Sequence, residues 1–387
     1  MKKVLILSNS ASGLYEFRIE LVRNLLGSNE VYISLPEEPD DKYVKAFAAE
    51  GCHMLHTPFE RRGMNPIKDI DLFRTYKSLI GDIKPDMVLT YTIKPNIYGG
   101  LAAKSLNVSY IANITGLGTA ILGGGLLSKV LLCMYRVATS KAKCIFFQNS
   151  SNMEFMKNHG VCGSGDVRLL PGSGVNLAAH PYIPYPSEEN GIEILSVMRI
   201  MKDKGIEELL QAIEELGTPG KQSVGGDRSE DNGLAADAEG TSERVHFSIA
   251  GNYEEETRSV YEPQIERLVK EGKLTYLGFV DDMNPIYESC HIIVHPSYHE
   301  GLSNVCLEAA ACGRPIVTTD IPGCRETVNE RSGILCQPKL SESLTESLKK
   351  MLDLTPEERE AMGKVGRTHV EKNFDRNIVI KAYREFV

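Results

Sequence analysis

Apolar positions along the chain come in short, nearly continuous runs separated by longer stretches. In the first half the runs are VLILS (4–8), EVYISL (30–35), DMVLTY (86–91), SYIANIT (109–115) and KCIFFQN (143–149), with a helix predicted over 15–27. In the second half they are GIEILSVM (191–198), RVHFSIAG (244–251), LTYLGFV (274–280), HIIVHPS (291–297) and RPIVTTD (314–320), with a helix over 204–216. Strands buried on both faces of a parallel sheet read this way, and helical crossovers fill the intervals. The pattern predicts an α/β protein of two doubly wound units. HPYIPYPSEEN (180–190), rich in proline and polar residues, is the expected linker. GTPGKQSVGGDRSEDNGLAADAEGTSE (217–243), poor in large apolar residues, is the expected mobile surface insertion.

At 387 residues the chain has room for two or three domains with their own cores. A formal net charge of -9 argues against a general nucleic-acid binder, which would carry a basic domain. Nine cysteines without a C-x-x-C pair read as reduced structural thiols, and a cytoplasmic location is expected. MKKVLIL runs into polar SNSAS after four apolar residues, too few for a signal sequence, and no run approaches the ~18 residues of a membrane span.

Candidate chemistry centres on HEGLSNVCLEAAACGRPIV (299–317), where Glu300 and Glu308 flank seven uncharged residues. HIIVHPS is a strand, YHEGLSN a loop at its carboxyl end, and VCLEAAACG a helix closed by Gly313. Ligands of open α/β sheets bind at that end of the strands, where a helix N-terminus offers free N–H groups and a positive dipole. Gly301, Ser303, Asn304 and Val305, with Leu302 among them, then form a backbone cradle for an anion, and Gly301 admits its close approach. Carboxylates beside an anion site are favourable when they accept hydrogen bonds from hydroxyls of the same ligand, which implies a nucleotide-sugar. The alternative is a pair of acids that only favour the helix dipole. In SVMRIMKDKGIEELLQAI (196–213), Arg199 follows a strand and Lys204 opens the next helix. The two either clamp a diphosphate and stabilise it as a leaving group in place of a metal, or form a solvated basic loop.

The stretch 299–317 resembles the E-x7-E signature of the family-four retaining glycosyltransferases of the GT-B fold, two Rossmann-like doubly wound domains facing a central cleft. The likeness continues through YLGFVDD (276–282), GRPIVTTDIPGCRETV (313–328) and the Arg199/Lys204 pair. It implies an acceptor-binding domain over 1–185, joined by a C-terminal helix at 372–387, and a nucleotide-sugar-binding domain over 190–371. It also implies that Glu300 contacts hexose hydroxyls near the reacting centre, that Glu308 holds the ribose, and that Arg199 and Lys204 bind the diphosphate. Catalysis would rest on Glu300, Arg199 and Lys204, with retention at the anomeric carbon. GNYEEE (251–256), where many members carry a second glycine, and Met198, where a small residue commonly precedes the arginine, depart from the family pattern.

NSASGLYEFRIELVRNLL (9–26), TYTIKPNIYGGLAAK (90–104), YIANITGLGTA (110–120) and FFQNSSNMEFMKNHG (146–160) resemble bacterial transferases that extend lipid-linked oligosaccharides or capsule repeat units, N-acetylgalactosaminyltransferases among them. This implies transfer of a hexose or N-acetylhexosamine from a UDP-linked donor to a glycan or polyprenyl-diphosphate-linked sugar, with no cofactor and no metal. Gly13, in the loop after the first strand, is a donor-side candidate or a plain turn residue. Lys94, Thr115 and Gly116 are acceptor-side candidates. Many relatives carry a histidine where Asn113 to Gly116 stand here, so no histidine base is assigned.

Other features take simpler readings. GLGTAILGGG (116–125) lacks the third glycine of a dinucleotide fingerprint. His291, His295 and His299 are spaced by four, but IIV reads as strand and Pro296 breaks a common face, against zinc. Asp69 and Asp71 form a D-x-D that reads as helix-terminal acids. GGLLSKVLLCMYRVATSKAKC (124–144) and RRGMNPIK (61–68) either rest on an anionic membrane or pack and solvate ordinarily. A UDP-sugar 2-epimerase and a non-catalytic nucleotide- or glycan-binding module are the rival functions.

Overall fold

The structure, a computed structural model, describes residues 1–60, 65–219 and 244–387. Most of the expected insertion, and residues 61–64 of the basic stretch, lie outside the described residues. Two compact units result: Met1–Asn176 with Glu300–Asn304 and Asn373–Val387, and Leu177–His299 with Val305–Lys372.

Among the described residues the first unit holds seven parallel strands, β1 (Lys2–Leu7), β2 (Asn29–Leu35), β3 (His53–His56), β4 (Met87–Tyr91), β5 (Tyr110–Ile114), β6 (Cys144–Phe147) and β7 (Asp166–Leu169). Their order is β3-β2-β1-β4-β5-β6-β7. Every residue of β4, β5 and β6 is buried, which explains the unbroken apolar runs. The edge strands β3 (HMLH) and β7 (DVRL) have exposed ends and half-buried middles, so no such run announced them. Ser10 caps the helix Ala11–Leu26 by accepting from the Gly13 amide at 3.2 Å, so this helix starts ahead of residue 15.

Among its described residues the second unit holds six parallel strands, β8 (Ile192–Val197), β9 (Val245–Ala250), β10 (Leu274–Gly278), β11 (Ile292–His295), β12 (Ile316–Thr319) and β13 (Gly333–Cys336), ordered β10-β9-β8-β11-β12-β13. The edge strand β13 is half-exposed, and its apolar run, Ile334 to Cys336, is short. The proline-rich stretch read as a linker is bound into this unit. Arg359, fully buried, pairs with Glu188 at 2.5 Å and donates to the Tyr185 hydroxyl at 3.1 Å, while Arg314 donates to the Pro184 carbonyl at 3.0 Å. All nine cysteines are free, and burial pushes the Cys290 and Cys312 thiols up to about 12, which makes them poor nucleophiles.

Chain order reverses between β1 and β4 in the first sheet and between β8 and β11 in the second. Such switch points open a crevice at the carboxyl ends of the strands.

Candidate functional site

In the second unit, Arg199 lies two residues past the end of β8, where its guanidinium bonds Glu254 at 2.9 Å. Glu254 was missed in the sequence, although it lies in the singled-out stretch GNYEEE. The glycine kept there is structurally required: Gly251 has φ +140, and a Cβ on it would lie 1.8 Å from the Met198 carbonyl oxygen. Lys204 ends a short 3-10 turn, Lys202–Lys204. Gly205, at φ +76, joins that turn to the helix Ile206–Leu216, and a Cβ there would lie 2.1 Å from the Pro296 carbonyl oxygen. The arginine and lysine thus both stand on the β8 loop, at the β8/β11 switch point. Glu308 lies in the second turn of the helix Asn304–Ala311, and the buried Tyr287 hydroxyl donates to it at 3.3 Å. Val305, in the first turn of that helix, belongs to the same unit.

Glu300, Gly301, Leu302, Ser303 and Asn304 group with the first unit. There a cavity of about 270 Å³ opens at the carboxyl ends of β1, β4, β5 and β6, lined among others by Ser8, Arg18, Thr92, Thr115, Gln148 and Glu300. Gly301 faces the Thr115 carbonyl oxygen so closely that a Cβ would lie 1.8 Å from it, and Asn149 Nδ2 donates to the Gly301 carbonyl at 2.7 Å. Its smallness therefore admits protein backbone, a constraint separate from any ligand. Leu302 packs on Gly172, where a Cβ would come within 2.7 Å of Leu302 Cδ2.

Two polar groups in this cavity are incompletely bonded. Arg18, 5% exposed, sits over the Tyr91 ring at 5.6 Å and donates to the Phe17 carbonyl at 3.1 Å, while its Nε has no partner. Gln148, oriented to donate to the Thr115 carbonyl, accepts from Arg18 Nη2 at 3.3 Å. Thr92 has φ +72, and its buried hydroxyl also lacks a partner. A β-branched residue in the left-handed region carries strain on the order of 1–3 kcal/mol, which clusters at functional sites. Neither residue stood out in the sequence.

Other expected positions fall differently. Gly13 lies inside the first turn of the helix Ala11–Leu26, not in the loop, although it does line the cavity. Of the acceptor-side candidates, Thr115 lines the cavity and Gly116 has open space around it, whereas the partly buried Lys94 pairs with buried Asp69 at 2.9 Å. The first acid of the D-x-D is thus a lysine partner as well as a first-turn residue of the helix Pro66–Ile83. His291 Nδ1 accepts from the Glu193 amide at 2.9 Å and its Nε2 lies 3.2 Å from the Ser187 carbonyl, while His299 is exposed. A cavity of about 510 Å³ in the second unit lies at the amino ends of its strands, against Ile192, His246, Thr275 and His291. None of the expected residues lines it.

Comparison with known proteins gives a consistent picture. Residues 184–369 match the family model described as glycosyl transferases group 1, and residues 3–149 match that of glycosyl transferase 4-like proteins. The N,N'-diacetylbacillosaminyl-diphospho-undecaprenol alpha-1,3-N-acetylgalactosaminyltransferase of Campylobacter jejuni is 25% identical over 365 residues, 90% of this chain and 88% of that protein. The capsular polysaccharide biosynthesis glycosyltransferase CapM of Staphylococcus aureus is 25% identical over 358 residues, 88% of this chain and 85% of its own. Among solved structures, HepE of Anabaena in complex with UDP and glucose superposes with a TM-score of 0.77 at 16% identity, covering 100% of this chain and 99% of its own.

Proposed function

This chain belongs to the family-four glycosyltransferases of the GT-B fold, and from that premise we propose that it moves a hexose or N-acetylhexosamine from a UDP-sugar to a lipid-linked sugar. The observation that carries the reading is the pairing of Arg199 and Lys204 on the β8 loop, at the switch point of the second sheet. In this reading the two cations hold the diphosphate and offset the charge that grows on it as the bond to the anomeric carbon breaks, the role a metal fills in other transferases. Glu308 accepts from ribose hydroxyls and Glu300 from hexose hydroxyls. The acceptor hydroxyl attacks the anomeric carbon with retention, its proton leaving with the diphosphate. The Glu254 carboxylate on Arg199 exchanges for phosphate oxygens when donor binds.

Two further observations support the UDP donor and lipid-linked acceptor. The Campylobacter relative is named for an undecaprenol-diphosphate-linked acceptor, and HepE was solved with UDP. In a chain of net charge -9, no acid occurs between Asp86 and Glu154. Within that stretch the helix Gly125–Thr139 exposes Leu126 (80%), Leu127, Val130 and Val137 beside Lys129 and Arg136, with Lys141 and Lys143 just beyond. An apolar face mixed with cations fits an anionic lipid surface, where a lipid-linked acceptor would reside. Among the described residues no helix is long and apolar enough to cross a membrane.

The test is turnover of UDP-, GDP- and ADP-sugars with and without polyprenyl-diphosphate sugars, scored by nucleotide release, product mass and anomeric configuration. Acceptor-dependent UDP release with retention is expected, falling about a hundredfold or more in Glu300→Gln and Lys204→Ala. Turnover of a GDP- or ADP-sugar instead, or an inverted product, would overturn the donor or stereochemical part. A new nucleotide-sugar formed without acceptor would point to an epimerase.

A further inference from the structure

We propose that Arg18 recognises an oxyanion carried by the acceptor, and that the 270 Å³ cavity of the first unit is selective for acceptors bearing a phosphate or carboxylate beside the sugar being extended. The inference rests on the transferase reading above and names the acceptor chemistry that reading leaves open.

Arg18 is nine-tenths buried, yet it forms no ion pair with a described carboxylate. Its protein partners are a neighbouring carbonyl, one amide oxygen and Tyr91, by ring face and phenol, none of which carries a formal negative charge, and Nε stays unsatisfied. A buried guanidinium of that kind is stabilised by an anion arriving from outside the chain. Its position is also that of a ligand group: the cavity sits where the ends of β1 and β4 diverge, the switch point of the sheet.

The cavity is chemically divided. Arg18 supplies positive charge, while Glu300, which lines the same space, supplies an acceptor for hydroxyls. With Glu300 taken by hydroxyls of the donor hexose, an acceptor oxyanion beside that hexose satisfies Arg18, and a neutral acceptor leaves Arg18 without a counterion. Thr92 adds a buried hydroxyl with no protein partner, held by a strained backbone on the same wall. The donor's own diphosphate is assigned to Arg199 and Lys204 in the other unit, which leaves Arg18 for the acceptor.

The experiment compares one sugar presented three ways: on a short-chain polyprenyl diphosphate, as a glycoside extended by a hexuronic acid, and as a neutral alkyl glycoside. Wild type is expected to prefer a charged acceptor over the neutral one by at least tenfold in kcat/KM. Arg18→Gln should raise the KM for that acceptor about tenfold or more while leaving the donor KM and the neutral acceptor unchanged, and Arg18→Lys should restore part of the loss. Preference for the diphosphate identifies a lipid-linked acceptor, and preference for the uronate a glycan. Equal losses on all three acceptors, or no preference in wild type, would overturn the proposal. Should wild type transfer to none of them, the transferase reading fails separately, and inorganic pyrophosphate still tests Arg18. In a chain carrying Arg199→Ala and Lys204→Ala, pyrophosphate affinity measured by calorimetry should drop at least tenfold on adding Arg18→Gln, and undetectable or unchanged binding would refute the assignment.

Discussion

The phenol of Tyr383, in the helix Arg376–Arg384 near the C-terminus, donates to Oδ1 of Asn113 on β5. Both residues are buried, the Tyr91 hydroxyl donates to the same phenol at 3.0 Å, and Asn113 Nδ2 donates to the Thr90 carbonyl at 3.0 Å. Both ends of the Asn113 amide are thus spent anchoring the helix Arg376–Arg384 to the first sheet. Tyr383→Phe would leave Asn113 Oδ1 buried without its donor, at a cost of about 1–3 kcal/mol. Urea unfolding should show that loss, with UDP affinity unchanged.

Gly301 makes a sharper prediction. Any side chain there collides with the Thr115 carbonyl, because even an alanine Cβ would lie 1.8 Å from it. Gly301→Ala must displace the Glu300–Asn304 segment by more than an ångström, and misplacement on that scale costs about a hundredfold in rate. Transfer should fall by about that factor, while UDP affinity, assigned to Arg199, Lys204 and Glu308, changes less than about threefold. A parallel collapse of UDP affinity would mean that Gly301 serves the donor directly.

The two kinds of position differ in how far the sequence exposes them. Glu300 and Glu308 stand out because charge interrupts an apolar strand-loop-helix pattern, and that pattern has a local physical meaning. It does not disclose that Glu300 groups with the first unit and Glu308 with the second, since that depends on contacts such as Gly301 with Thr115, far apart in sequence. Arg18 is hidden for a related reason. In FRIELVRNLL an arginine reads as the polar face of an amphipathic helix, and only the fold brings Tyr91 beneath it. Interior strands were legible from burial on both faces, whereas the edge strands β3 and β7 left no continuous run and β13 only the short Ile334 to Cys336. Buried Arg359 shows the same limit, because its partner Glu188 lies in a stretch whose prolines suggest a linker.

Glu193, at the amino end of the second sheet, links stability to pH. Burial raises its carboxyl to about 7, against a smaller opposing effect of the Ser248 hydroxyl, which donates to it at 2.5 Å. Between an ordinary carboxyl value near 4.5 and about 7, the folded chain binds more protons than the unfolded one. The contribution is thus fully present below the ordinary value and is lost as pH rises through about 7. At about 1.4 kcal/mol per unit, the loss reaches about 3 kcal/mol. Glu193→Gln keeps the neutral form at every pH, so it should match wild type near pH 5 and exceed it in melting temperature at pH 8. A constant difference across that range would show that Glu193 does not titrate in the folded state.

The proposed docking of the exposed face of the helix Gly125–Thr139 on a lipid surface can be tested apart from catalysis. Leu126 and Val130 lie four residues apart on one side of the helix, and neither takes part in the buried core. Leu126→Glu with Val130→Glu should therefore leave stability within about 0.5 kcal/mol, as surface substitutions usually do. The same change removes two apolar contacts and places two negative charges against an anionic bilayer, where each basic residue contributes about 1 kcal/mol of attraction. Cosedimentation with vesicles containing anionic lipid should fall at least tenfold and transfer to a vesicle-borne polyprenyl-diphosphate acceptor should fall with it, while transfer to a water-soluble short-chain acceptor stays intact. Raising salt should weaken wild-type binding, since the screening length shrinks from about 10 Å at 0.1 M to about 3 Å at 1 M. Undiminished vesicle binding in the double variant would move the docking surface elsewhere on the chain.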